Sequence, residues 1–382
     1  FQGHSFLNKK QIMNGVHSEQ EMTDGNELGS SSISSKLHGW QLLTVVGINT
    51  MFIVIGQSAA TLLGRFYYEQ GGNSKWMATL VQSAAFPVLY ICLPLFPQSS
   101  DPPQSSSPSN SKLLLLYFSL GALLAGDNML YSTALLYLSA TTYSLVCASQ
   151  LAFNAVFSFF FNHQKFSFPI LSSVVILTLS AALIGIDQDA SRPTGVSEWQ
   201  YITGIICAVA ASACYSLLLS LTQVSFERVI KKETFKVVID MQIYTSMVAT
   251  CITVIGLFAS GEWKTLHAEF TGFKKGRVSY VMTLVWIALS WQLCSVGLFG
   301  IVFIVSSLFS NVLSTVALAV SVIAAVVVFK DKINGTKIIA IIMAFYGFVC
   351  YGYHNYLHDI KRKKHPNETD HVTRDISMNH LL

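Results

Sequence analysis

Between two polar ends the chain alternates long apolar stretches with short polar connections. The apolar runs recur at about 20 residues, the length a helix needs to cross a bilayer. Their hydropathy predicts spans at 42–64, 76–96, 113–136, 140–161, 168–187, 200–224, 236–259, 280–300, 303–329 and 336–357. The stretch from Tyr280 to Phe329 is nearly unbroken and too long for one helix, with Gly300 or Ser306-Ser307 as the place for a break. Connections are short except Pro97 to Lys112, rich in Pro and Ser, and Gly261 to Ser279.

The ends have no apolar period. Residues 1–39 are rich in Ser and Gly and read as a disordered tail. Phe1-Gln2-Gly3 looks like the scar of a cleaved tag, Met13 like a natural start, and no apolar core near the beginning suggests a signal peptide. Residues 358–382 form a second polar tail that opens with Lys361-Arg362-Lys363-Lys364.

Composition narrows the class. Of 382 residues, 52% are hydrophobic and 12% charged, against about 25% charged in soluble domains. That apolar material suffices for about ten spans. A soluble enzyme, a nucleic-acid-binding protein and a disordered chain are excluded, and a net charge of +4 is too small to point to an acidic macromolecular partner. The seven cysteines lie in apolar runs without a C-x-x-C pair, so they are expected to be buried, inert thiols.

An even number of spans puts both tails on one side. That side gathers Arg228, Lys231, Lys232, Lys236 and Lys361–Lys364. Of the Lys and Arg, about 14 fall there against about 10 opposite, which favours cytoplasmic tails. Lys274, Lys275 and Arg277 argue the other way. The fourth span ends Phe161-Asn162-His163-Gln164-Lys165-Phe166-Ser167 and the ninth Val328-Phe329-Lys330-Asp331-Lys332-Ile333-Asn334. Two such copies five spans apart face opposite sides of the membrane. They suggest inverted five-helix halves, 40–187 and 188–357, with a substrate site between them near the midplane.

Polar residues inside the spans carry the functional information, because each must find a partner in hydrocarbon. A charge at a helix centre costs roughly 2.5–3.5 kcal/mol. Asp127 and Asp240 are the two carboxylates clearly within spans. Asp127 and Tyr131 share a helix face at i, i+4, and burial favours the uncharged carboxyl, making Asp127 a candidate proton carrier. A plain interhelical hydrogen bond is the bland alternative. Asp240, near Lys231, Lys232 and Lys236, can equally form an interfacial ion pair.

Gln150 and Asn154 also share a face, and Gln150 is mid-span. A carboxamide presents a donor and an acceptor in one plane, the arrangement that reads the N6/N7 edge of adenine; amides also serve as helix–helix glue. Gln57, Gln82 and Asn49 extend the polar theme. Trp291 lies mid-span and offers a stacking platform for a flat heteroaromatic ligand, or ordinary packing. Trp40, Trp76, Trp199 and Trp263 flank spans as interfacial anchors. Ser306, Ser307 and Asn311 open the ninth span and can line the inner end of a pathway. No phosphate loop, H-E-x-x-H or G-x-S-x-G occurs, so neither ATP hydrolysis nor a cofactor is implied. Asn334-Gly335-Thr336 and Asn367-Glu368-Thr369 match the glycosylation pattern, but their positions argue against use.

From Gly47 to about Asp359 the sequence resembles the plant purine permeases, a branch of the drug/metabolite transporter superfamily. The most specific stretches are Gly126-Asp127-Asn128-Met129-Leu130-Tyr131-Ser132, Gln150-Leu151-Ala152-Phe153-Asn154-Ala155 and Lys232-Glu233-Thr234-Phe235. Met241-Gln242-Ile243-Tyr244-Thr245 and Val305-Ser306-Ser307-Leu308-Phe309-Ser310-Asn311-Val312 are equally specific. The resemblance implies an all-α integral membrane protein of ten helices in two inverted five-helix repeats. It also implies proton-coupled uptake of adenine-like bases, with cytokinins, alkaloids and related heterocycles as substrates across the family, at the plasma membrane. Two departures stand out: Ser139 follows Tyr137-Leu138 where members often carry Pro, and Ala319-Val320-Ser321 lacks the expected Pro of the ninth span.

The combined expectation is a secondary transporter, not an enzyme, whose partners are a purine-like small molecule, protons and the bilayer, with no nucleic acid. Asp127, or Asp240, carries the proton. Asn128, Tyr131, Gln150, Asn154, Trp291, Gln82, Asn49 and Asn311 are the substrate-binding candidates. An alkaloid or vitamin-like heterocycle is the alternative substrate, and a receptor that binds the same ligands without moving them is the alternative class.

Overall fold

The computed structural model describes residues 39–92, 110–162, 195–230 and 235–330, together with residue 193 and scattered positions in 171–179 and 335–349. Both polar tails, most of the predicted spans 168–187 and 336–357, the possible glycosylation sites and much of the paired segments 161–167 and 328–334 lie outside the described residues. Within them, every regular element is a helix.

In chain order these are α1 (Gly39–Glu69), α2 (Lys75–Ser83), α3 (Pro87–Cys92), α4 (Asn110–Tyr137), α5 (Ala140–Cys147) and α6 (Gln150–Asn162). They continue with α7 (Glu198–Val224), α8 (Phe235–Ser260), α9 (Leu266–Gly272), α10 (Arg277–Ile304) and α11 (Ser307–Phe329). A π-helical turn, Ser225–Ile230, extends α7. Among the described residues seven helical stretches are long and apolar enough to cross a membrane: α1, α4, α5 with α6, α7, α8, α10 and α11. The protein is an all-α, multi-pass membrane protein. The long apolar stretch breaks at Val305-Ser306, where Ser306 accepts a hydrogen bond from the Phe309 N–H at 3.1 Å and caps α11.

Large apolar side chains face outward, where lipid meets them: Leu114, Leu115 and Phe118 on α4, Ile255 and Phe258 on α8, Ile323 and Val327 on α11. Cys147 and Cys294 are buried as expected, but Cys251 is exposed on this outward surface of α8. Lipid tails are as apolar as a protein interior, so helix contact depends on close backbone approach at small residues. The most extensive pair is α1 with α10. A methyl group on Gly56 would lie 2.7 Å from the Ser290 carbonyl and the Cys294 nitrogen, and one on Gly297 2.7 Å from the Asn49 carbonyl. Trp76, at the start of α2, lays its ring over Gly256 of α8.

At the end of the bundle where α1 finishes, the long connection between α8 and α10 clamps the start of α2. The buried Glu269 carboxylate accepts from Tyr67 Oη (2.7 Å), the Ser74 N–H (2.7 Å) and the Asn73 N–H (3.1 Å). Glu262 accepts from Ser74 Oγ (2.6 Å) and the Trp76 N–H (3.1 Å). Carboxylates at a helix N-terminus satisfy its free N–H groups and complement its dipole. On the neighbouring turn Arg65 donates to the carbonyls of Leu135 (3.2 Å) and Leu138 (3.0 Å) at the end of α4, while pairing with Glu69 at 3.1 Å.

Two stability predictions follow from these contacts. Gly56→Leu is expected to cost about 1–3 kcal/mol through overpacking against backbone that cannot move aside, whereas Gly47→Leu, with nothing within 4 Å, is neutral. Glu269→Ala leaves three donors without an acceptor and costs about 1–3 kcal/mol or more; Tyr67→Phe removes one bond and costs less. Thermal unfolding in detergent reads both series, and equal midpoints for Gly56→Leu and Gly47→Leu would overturn the seam.

Candidate functional site

Two of the membrane-depth elements are broken, and the site lies between them. The first break, Ala84-Ala85-Phe86, precedes Pro87, whose missing N–H cannot continue a helical ladder. The second, Ala148-Ser149, separates α5 from α6 without Pro or Gly. It is supported from α7 and α11 instead. Ser216 Oγ donates to the Gln150 carbonyl at 2.6 Å and Asn311 Nδ2 to the same carbonyl at 3.3 Å, while Ser212 Oγ, which donates to the Ala208 carbonyl at 2.8 Å, lies 3.4 Å from the Cys147 carbonyl. Non-helical backbone at membrane depth persists where protein groups satisfy it in this way.

A cavity opens beside these breaks. Its walls include Gln57 from α1, Gln82 from α2, Asp127, Asn128 and Tyr131 from α4, and Gln150 from α6. Tyr143 and Cys147 of α5, Tyr215 of α7, Gln242 and Ser246 of α8, and Trp291 and Ser295 of α10 complete the polar and aromatic lining. Apolar walls with a few convergent polar groups are the usual make-up of a small-molecule site. Among the described residues no Lys, Arg or His lines it.

One chain of hydrogen bonds crosses the cavity wall. Gln150 Nε2 donates to Ser314 Oγ at 2.9 Å, and Ser314 Oγ donates to Gln57 Oε1 at 2.7 Å. Tyr131 Oη reaches Gln150 Oε1 at 3.5 Å, a long contact. Tyr131 also meets Tyr143 and Tyr215 edge-on, with ring centroids 5.9 and 6.4 Å apart. Asp127 is 2% exposed, and its Oδ1 has no hydrogen-bond partner among the described residues. Gln82 donates from Nε2 to the Asn128 carbonyl (3.2 Å), the Ala78 carbonyl (3.3 Å) and Ser132 Oγ (2.8 Å), while its Oε1 is buried and unpartnered.

The structure thus brings together six of the residues singled out in the sequence: Asp127, Asn128, Tyr131, Gln150, Trp291 and Gln82. Four others lie outside the cavity wall. Asn154 is fully buried behind it, donating to the Ser307 carbonyl (3.2 Å) and accepting from Ser220 Oγ (3.1 Å). Asn311 supports the Gln150 carbonyl. Asn49 turns its amide back to the Val45 carbonyl at 2.8 Å and presses on Gly300. Asp240 is half-buried on α8. Ser307 is held at the start of α11 by Gln223 Oε1, which accepts from its N–H at 2.9 Å and its Oγ at 2.7 Å.

Gln57, Gln242, Ser246, Tyr143, Tyr215 and Ser295 join the wall beyond the candidate set. For Gln242 and Ser246 the signal was present: they repeat the i, i+4 polar spacing of Gln150 and Asn154. The two departures from the family pattern also find their place. Ser139 caps α5, accepting from the Thr142 N–H at 3.2 Å, so the α4–α5 break exists without a Pro. Through Ala319-Val320-Ser321 α11 runs as continuous helix, with Ser321 Oγ bonded back to the Ala317 carbonyl at 2.9 Å.

Comparison with known proteins places this architecture. The purine nucleobase transmembrane transport family matches residues 44–361. Probable purine permease 11 of Arabidopsis thaliana is 60% identical over 327 residues, covering 85% of this chain and 86% of that protein. Probable purine permease 13 of the same plant is 49% identical over 355 residues, covering 93% and 97%. Putative purine permease 12 is 52% identical over 327 residues, covering 85% and 91%. A polytopic helical bundle with an uncharged-amide and aromatic cavity, matched along most of its length by these relatives, belongs to the plant purine permease family of membrane transporters, not to an enzyme family.

Proposed function

We propose that this protein is a proton-coupled uptake permease for adenine-type bases, including N6-substituted adenines such as cytokinins, with the cavity as its substrate site. The observation that carries the reading is the buried Asp127 in the cavity lining, whose Oδ1 has no hydrogen-bond partner among the described residues. A buried charge is tolerated when paired or neutralised, and among the described residues no cationic side chain lines the cavity. A proton is the counter-charge that remains.

In this mechanism Asp127 takes a proton from the outer side. A planar base then enters, stacks on Trp291 and sets its edge against the amides of Asn128 and Gln150. Neutralising the acid and filling the cavity together remove the cost of the buried polar groups. Rocking of the two five-helix halves, 40–187 and 188–357, then exposes the site to the cytoplasm, where base and proton leave. Asp240 lies away from this cavity and is the weaker candidate for the proton. Behind the wall, Asn311 holds the Gln150 carbonyl and Asn154 ties α6 to α7 and α11, while Asn49 bonds within its own helix. The family resemblance supports placement in the plasma membrane.

The test is uptake of radiolabelled adenine into proteoliposomes with and without an inward-directed proton gradient, challenged by unlabelled cytokinin. Gradient-driven accumulation that cytokinin competes away is expected. Asp127→Asn is expected to keep exchange of bound base but lose accumulation against a gradient, a drop of at least about tenfold in the accumulated ratio. Undiminished uphill uptake by Asp127→Asn would exclude Asp127 as the proton site.

A further inference from the structure

Gln82 differs from the other amides of the cavity in having its orientation fixed. Its Nε2 faces two backbone carbonyls, of Asn128 and Ala78, which can only accept. Turning the amide over would set oxygen against both carbonyl oxygens. The nitrogen therefore stays where it is, and the oxygen is left buried without a partner. Gln242 is unlike this. Its Nε2 meets Ser246 Oγ at 3.1 Å, and a hydroxyl accepts or donates equally well, so Gln242 can present either atom. Gln150 likewise meets hydroxyls, Ser314 Oγ at its nitrogen and Tyr131 Oη at its oxygen, so these contacts do not fix its orientation either.

The placement of the fixed oxygen is also defined. Because Gln82 Nε2 binds the backbone of Asn128 and the hydroxyl of Ser132, its amide lies along one turn of α4, and Gln82 and Asp127 both line the cavity. The clamp at the other end of α2, through Glu262 and Glu269, holds that helix in register. An acceptor that can do nothing but accept is thus held by a residue of the same cavity lining as the proposed proton carrier.

Resting on the adenine reading above, we propose that Gln82 is the specificity residue for an exocyclic amine: its Oε1 receives an N–H from the substrate. A 6-aminopurine completes the missing hydrogen bond. A 6-oxopurine places a second acceptor against it, leaving two buried oxygens facing each other. A base with a secondary N6 amine still carries one hydrogen for Gln82, whereas an N6,N6-dialkylated base carries none. The cavity therefore accepts N6-monosubstituted adenines and rejects oxo- and dialkylamino-purines of equal size.

The experiment is competition against radiolabelled adenine uptake by the wild-type protein in proteoliposomes, using N6-methyladenine, N6,N6-dimethyladenine and hypoxanthine. N6-methyladenine is expected to compete within about threefold of adenine. Hypoxanthine and N6,N6-dimethyladenine are expected to be weaker by about tenfold to a hundredfold, the scale of one unsatisfied buried hydrogen-bonding group. A Gln82→Met variant, which keeps the side-chain volume and removes the oxygen, is expected to narrow both gaps to within about threefold. Comparable competition by all three bases with wild type, or unchanged discrimination in Gln82→Met, overturns the assignment of Gln82 alone. Absence of any adenine uptake overturns the nucleobase reading, and this inference falls with it. If Gln82→Met does not fold, the wild-type ligand series still decides.

Discussion

A backbone carbonyl or N–H in hydrocarbon has no water to turn to, and each one left alone costs several kcal/mol. The break between α5 and α6 meets this demand within its own turn, where the Ala148 carbonyl accepts from the Leu151 N–H at 3.4 Å and the Ser149 carbonyl from the Ala152 N–H at 3.0 Å, and neighbouring helices add donors on either side. Ser212 and Ser216 stand one helical turn apart on α7, and Asn311 approaches from α11. Ser212 lies near the Cys147 carbonyl where α5 ends, and Ser216 and Asn311 reach the Gln150 carbonyl where α6 begins. From that position the Gln150 side chain reaches Ser314, which reaches Gln57, and the amide wall of the cavity is assembled. The same substitution of side-chain for backbone partners explains why Asn154 and Asn311 are buried without facing the cavity.

The opposite wall depends on α2. Its short helix is anchored at the start by Glu262 and Glu269 and ends against the Pro87 break. Gln82 lies near that broken end and ties α2 to α4 through the Asn128 carbonyl and Ser132. The cavity is thus bounded by two interrupted helices, one held by carboxylates outside the apolar stretch and one by hydroxyls within it. Asp127 lies on the uninterrupted α4 between them. Rigid packing at Gly56 and Gly297 keeps α10, and with it Trp291, at a fixed distance from α1.

Much of this was legible in the sequence, for reasons that differ by element. Uniform apolar runs predicted the spans, and α4 and α8 match because lipid demands apolar side chains wherever they face outward. Polar residues inside spans pointed to Asp127, Asn128, Tyr131, Gln150, Gln82 and Trp291, since such residues are costly unless used. Hydropathy does not record which way a side chain turns or what it meets. Asn154 and Gln150 share a face, yet one is consumed by Ser307 and Ser220 while the other borders the cavity. Trp76 flanks a span, and the sequence does not record that its half-buried ring packs on Gly256 of a distant helix. Cys251 was expected inside because it sits in an apolar run, but in a membrane an apolar run also covers the outside. The α5–α6 break carries no Pro or Gly, so no local signal announced it.

The most direct test of the account is a structure of the protein with adenine bound in a lipid nanodisc. The account predicts density for one planar base against Trp291, with its amino group within hydrogen-bonding distance of Gln82 Oε1 and its ring edge beside Asp127. Density for the base elsewhere in the bundle, with this cavity filled only by water, would contradict it.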